Sequence, residues 1–242
     1  MEAEKFFDGI QQFEVAFQDL KGKVPIFYYD ASANVNMFFA SSRRIRKYIK
    51  DRRIKIAELL PGITLVGVTC FEYRKTDIGP YNEIGITVPF GSAKVLSSFL
   101  SGEFEVHVWH LPVTTEIAYV AGVLIYNYPK FVSDIKYSQE NFSLSSDSTK
   151  IFDVKIKARK SLPIRKKRFH FITYQIKDNT LIKANVDAIG ENISLSFLSS
   201  EINLNPSTKI GGELKDVLIS KKSLVSMEIR NLKAILYMPK KV

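Results

Sequence analysis

One cysteine, Cys70, stands in 242 residues, which excludes an internal disulfide, a paired-cysteine redox motif and a cysteine-rich zinc site. Three histidines leave little for a conventional metal centre. No apolar run approaches the roughly 18 residues that a membrane-spanning helix needs. The opening residues are acidic at Glu2, Glu4 and Asp8 and lack the basic head and apolar centre of a secretory signal. No Gly-x-Gly-x-x-Gly phosphate loop and no internal repeat occurs, and glycine and proline are scattered instead of gathered into a linker. These absences predict a cytoplasmic protein with no membrane partner, no metal and no cofactor, built as a single domain over residues 1–242.

Hydrophobic residues make up 45% and charged residues 25%, enough apolar surface for a core without staples. The formal charge of +10 admits a nucleic-acid or acidic-surface binder, whose association would depend steeply on salt. Its cationic runs, Arg43 to Arg53 and Lys155 to Arg168, have no recognised nucleic-acid motif around them. They read as solvated faces, and no nucleic-acid partner is expected.

Apolar residues at three- and four-residue spacing (Phe6, Ile10, Phe13, Phe17, Leu20) predict an amphipathic helix over Glu4 to Leu20. Ser41 and Ser42 stand as a cap before a helix at Arg43 to Lys50, and Ala93 to Leu100 reads as one more short helix. Elsewhere β-branched and aromatic residues predict strands at 26–40, 63–73, 83–90, 104–111 and 117–126, then at 152–157, 169–176, 181–186, 193–198 and 232–238. Ser138 to Ser148 reads as an exposed loop. The fold class is α+β, mostly antiparallel β.

Two segments carry chemistry. In Tyr81-Asn82-Glu83-Ile84-Gly85-Ile86-Thr87-Val88, strand alternation sends Ile84, Ile86 and Val88 to a packed face. Tyr81, Glu83, Gly85 and Thr87 fall on the other face, so the Glu83 carboxylate points to water or into a polar cavity. The apolar stretch Ile117 to Phe131 ends in Tyr128-Pro129-Lys130-Phe131. A lysine held among such neighbours loses hydration, which disfavours its charged form and yields an amine able to attack a carbonyl. The competing reading is a stem packed on apolar neighbours with its head in water.

Together these segments resemble the acetoacetate decarboxylase family and its wider superfamily of Schiff-base enzymes. There a Tyr-x-Glu-x-Gly strand precedes, by some forty residues, a glycine-containing segment ending in Tyr/Phe-Pro-Lys, as in Tyr128-Pro129-Lys130 here. Val106 to Leu111 fits the intervening strand, and Leu195 through Leu218 to Tyr237 fits the closing helix and strand. The resemblance implies a cone-shaped β-barrel with peripheral helices, a homo-oligomer, and a small carbonyl substrate. It makes Lys130 the Schiff-base nucleophile, an activation long associated with acetoacetate decarboxylase itself, and Glu83 the proton-handling group beside it. Tyr81, Tyr128 and Phe131 flank that pair as expected substrate contacts. His107 and Trp109 share one strand face and complete the candidate lining, although packed roles are commoner for such residues.

Decarboxylation of a small keto acid is the leading reaction that the resemblance implies. The alternatives are aldol-type or dehydration chemistry through the same iminium, and a non-catalytic ligand-binding barrel. Three departures from the family pattern bear on that choice. Phe131 replaces a second lysine, Val123 and Leu124 replace an Arg-Glu pair after Gly122, and Ile26 to Ser42 offers no arginine for a substrate carboxylate. A more apolar pocket, suited to longer or less acidic substrates, is expected.

Overall fold

The computed structural model describes residues 5–17, 20–91, 97–98, 101–138, 140–156 and 161–242. Its centre is a mostly antiparallel barrel. The strands are β3 (Ile26–Ser41), β4 (Ile63–Thr76), β5 (Tyr81–Pro89), β6 (Glu103–His110), β10 (Leu162–Lys177), β11 (Thr180–Phe197) and β13 (Val225–Leu236). They run in the order β10-β6-β5-β4-β3-β13-β11, and the β10–β11 hairpin closes the ring at seven strands. Only the β6–β10 pairing within the ring is parallel. Closure removes the exposed edges that an open sheet would present.

Alternation along each strand sorts the side chains. On β5, Glu83, Gly85 and Thr87 point into the barrel, while Ile84, Ile86 and Val88 point out and are fully buried. What buries them is a second sheet, β12-β9-β8-β7, formed by β7 (Asp134–Tyr137), β8 (Asn141–Ser146), β9 (Thr149–Ile156) and β12 (Ser200–Leu204). Phe142, Leu144, Phe152 and Val154 of that sheet share a core with the outward face of β4 and β5. The segment expected as an exposed loop at 138–148 is therefore largely strand β8, whose Phe142 and Leu144 are core residues.

Helix α1 (Ser42–Ile45) is shorter than the expected Arg43 to Lys50, and the Ser41 side chain accepts a hydrogen bond from the Arg44 N–H as its cap. Helix α3 (Lys209–Val217) packs Ile210, Leu214 and Val217 into the outer core. The expected helix Ala93 to Leu100 falls mostly outside the described residues.

Two further expectations are corrected. The N-terminal segment is not a helix: after a turn at 5–9 it forms a hairpin of β1 (Phe13–Phe17) and β2 (Leu20–Val24). Its early aromatic residues satisfy themselves by contact, with the Phe7 ring 4.9 Å from Phe27 and 5.1 Å from Tyr29. The segment expected as a strand at 117–126 is helix α2 (Glu116–Tyr126). It buries Ala118, Val120, Ala121 and Tyr126 in the same core as Val24, Ile26 and Tyr28. Burial on several sides removes the polar face that would have marked it as a helix.

Candidate active site

Three short stretches of backbone bring Glu83 and Lys130 together. Val113 bridges Glu83 on one side and Val132 on the other, and the Leu111 N–H donates to the Pro129 carbonyl at 3.1 Å. Helix α2 ends at Asn127, which adopts the left-handed conformation (φ 50°). The chain then turns back, with the Tyr128 N–H donating to the Gly122 carbonyl at 3.1 Å, and Lys130 passes beneath the helix. Gly122 makes that passage possible. A methyl group in its place would overlap Cδ and Cε of Lys130 and stand 3.2 Å from Nζ.

Lys130 Nζ donates to Glu83 Oε2 at 2.5 Å, and both side chains are buried, at 6% and 9% exposure. The second carboxylate oxygen accepts from the Tyr73 hydroxyl at 3.4 Å. Nζ also lies 5.7 Å from the centre of the Tyr81 ring, whose hydroxyl contacts that of Tyr28 at 3.3 Å. Burial raises the phenol pKa values of Tyr28, Tyr73 and Tyr81, and the nearby Glu83 charge adds to the rise. These phenols stay neutral: Tyr73 donates to Glu83, and Tyr81 donates to Tyr28, which accepts. Burial likewise raises Tyr128, whose hydroxyl shares a 2.6 Å hydrogen bond with Thr173.

Glu83, Tyr28, Tyr73 and Tyr128 stand at one end of a cavity of about 180 Å³ inside the barrel. Its walls are otherwise made mainly of apolar side chains, Phe71, Phe104, Phe171 and Met227 among them. Lys130 sits one hydrogen bond behind this wall, on Glu83.

Of the residues expected from the sequence, Glu83, Lys130, Tyr81 and Tyr128 meet at this place. Phe131, His107 and Trp109 do not. Phe131 packs against the outer core. On β6 the inward residues are Phe104, Val106 and Val108, so alternation sends His107 and Trp109 outward. His107 Nδ1 donates to the Tyr174 carbonyl at 2.9 Å, and the Trp109 ring packs 5.7 Å from Tyr48. The register between β5 and β6 shifts beside Trp109, where Ile86 pairs with His110 and Thr87 with Val108. That bulge leaves His110 outside as well, 2.8 Å from Glu213 of α3. Sequence reasoning missed Tyr73 as the partner of the carboxylate and Tyr28 as the partner of Tyr81. Tyr73 lies opposite Tyr81 in the β4–β5 ladder, a pairing visible only once the register is known.

A closed seven-stranded barrel is the architecture this chain shares with solved structures. Among solved structures, an acetoacetate decarboxylase superposes with a TM-score of 0.65 at 14% identity, over 90% of this chain and 89% of its own. Acetoacetate decarboxylase from Legionella pneumophila gives 0.64 at 14% identity, over 100% and 94%. The enduracididine biosynthesis enzyme MppR, complexed with pyruvate, gives 0.59 at 10% identity, over 90% of each chain. No protein-family profile and no curated protein sequence matches. The chain has the acetoacetate decarboxylase-like fold.

Proposed function

We propose that this protein is a Schiff-base-forming enzyme that acts on a small carbonyl compound through Lys130, with Glu83 as its proton carrier. The observation that carries the reading is the buried 2.5 Å contact between the two groups at the cavity end. Glu83 takes a proton from the Lys130 ammonium, and the freed amine adds to the carbonyl carbon. The resulting hydroxyl leaves as water with the proton returned by Glu83, which leaves an iminium beside a carboxylate. The iminium nitrogen then accepts the electron pair of a breaking bond next to the carbonyl carbon, giving an enamine. In aldol-type cleavage Glu83 takes the substrate's hydroxyl proton as the bond breaks, and in decarboxylation it takes one from solvent; it passes that proton to the enamine carbon, and water releases the product. Tyr73 holds the carboxylate through its second oxygen. Decarboxylation and aldol-type cleavage share every step up to the bond that breaks.

Iminium formation exchanges the carbonyl oxygen with solvent, so the test is to incubate a ketone in isotopically labelled water and follow label uptake by mass spectrometry. The native protein accelerates uptake, Lys130→Ala abolishes the acceleration, and Glu83→Gln slows it. Equal uptake by native protein and Lys130→Ala would refute the reading.

A further inference from the structure

We infer that the substrate is an uncharged aldehyde or ketone bearing an aryl or alkyl tail, with no carboxylate of its own. This deepens the Schiff-base reading, rests on it, and selects aldol-type cleavage over decarboxylation as the bond-breaking step. Among the described residues that line the cavity, Glu83 is the one that carries a charge, and its charge is already matched by Lys130. The site is neutral before a ligand enters. An uncharged carbonyl compound keeps it neutral throughout, because the ammonium is exchanged for an iminium beside the same carboxylate. A keto-acid anion would place a second carboxylate beside Glu83 with one cation between them, in walls whose described residues include no arginine, lysine or histidine. Burying a charge without a partner is strongly unfavourable.

The shape of the cavity agrees. Its lining follows β5 from Glu83 through Gly85 to Thr87, a length of roughly 13 Å at about 3.3 Å per residue. At Gly85 the wall is covered by Leu111 and Phe71, whose side chains stand 3.5 Å and 4.0 Å from where a Cβ would be, so the lining there is apolar. The walls on either side carry Phe104 and Phe171, stacked with centroids 5.1 Å apart, and the adaptable methionines Met37 and Met227. A dry apolar cavity of about 150 Å³ is large enough to take up benzene, and this one has about 180 Å³.

The test uses matched pairs that differ in charge. Unreactive probes come first: 2-phenylethanol and phenylacetate are added to the native protein and the midpoint of thermal unfolding is measured. The alcohol raises the midpoint and the acid leaves it unchanged. The reactive pair is methyl acetoacetate and acetoacetate, each reduced with borohydride, and the ester labels Lys130 about tenfold or more over the acid. Glu83→Gln leaves the ammonium free to pair with a carboxylate, so phenylacetate stabilises that variant. Phenylacetate or acetoacetate matching its neutral partner on the native protein would overturn the inference. A Glu83→Gln variant indifferent to phenylacetate, or a native protein indifferent to both probes, would overturn it too. Stabilisation by the alcohol without any Lys130 adduct would defeat the Schiff-base reading alone and leave the apolar ligand class standing.

Discussion

Replacing Gly122 by alanine separates the ordinary behaviour of a helix from the demands of the site beneath it. In the interior of an exposed helix the change is favourable by about 1 kcal/mol, because alanine has the higher helix propensity. Here the new methyl group overlaps Cδ and Cε of Lys130, and the helix is pinned by the buried Ala118, Val120 and Ala121 on the same element. Overpacking of this kind costs about 1–3 kcal/mol. If the lysine yields instead, its ammonium leaves Glu83, and breaking a buried pair costs about 3–5 kcal/mol. Set against the propensity gain, the first route leaves a net loss of roughly 0–2 kcal/mol and the second roughly 2–4, so Gly122→Ala should lose about 2 kcal/mol and lower the urea midpoint without changing the denaturant slope. It should also slow oxygen exchange at the substrate carbonyl, because the amine no longer rests on its proton acceptor. A variant that is more stable than the native protein and exchanges oxygen at the native rate would refute the claim that Gly122 seats the lysine.

Lys130→Met removes the cation and strands the Glu83 carboxylate. It should therefore cost about 3–5 kcal/mol in denaturant unfolding, whereas Lys130→Met combined with Glu83→Gln should recover most of that loss; equal losses in the two would show that the ion pair is not what the charges contribute. His107 gives a pH dependence. Burial lowers its folded-state pKa below 6.5, so the unfolded chain binds the proton more readily. Stability from this group is complete above pH 6.5 and is lost as pH falls from there through the lower folded value. The thermal midpoint should fall less across that range in His107→Gln, and parallel curves for the two proteins would contradict the assignment.

The strand of the carboxylate was legible because alternation does not depend on tertiary context: Ile84, Ile86 and Val88 announce a packed face, so Glu83, Gly85 and Thr87 must share the other. The helix carrying Gly122 was not. Tyr119, Val120, Val123, Leu124 and Ile125 have strand propensity, and a segment lying against the barrel end needs no polar stripe. The opposite error occurred at the N-terminus, where Phe6, Ile10, Phe13 and Phe17 carry a helical period in a segment that folds as a turn and a hairpin. His107 and Trp109 share a face, as alternation requires. Which face lies inward depends on Phe104, Val106 and Val108 closing the barrel, a long-range fact that no local pattern holds. Lys130 and Glu83 were paired through resemblance to a family. The backbone that joins them runs through Val113, which no motif marks.

The central claim is that a buried amine at Lys130 forms an imine, and borohydride trapping followed by peptide mapping tests it most directly. The native protein is incubated with methyl acetoacetate, reduced, digested and mapped by mass spectrometry beside Lys130→Ala. An exposed lysine with a pKa near 10.4 is almost wholly protonated near pH 7 and traps carbonyls poorly. The account predicts a single dominant adduct on the peptide that contains Lys130, absent from the variant. Adduct spread over the surface lysines, with the same pattern and yield in Lys130→Ala, would contradict it.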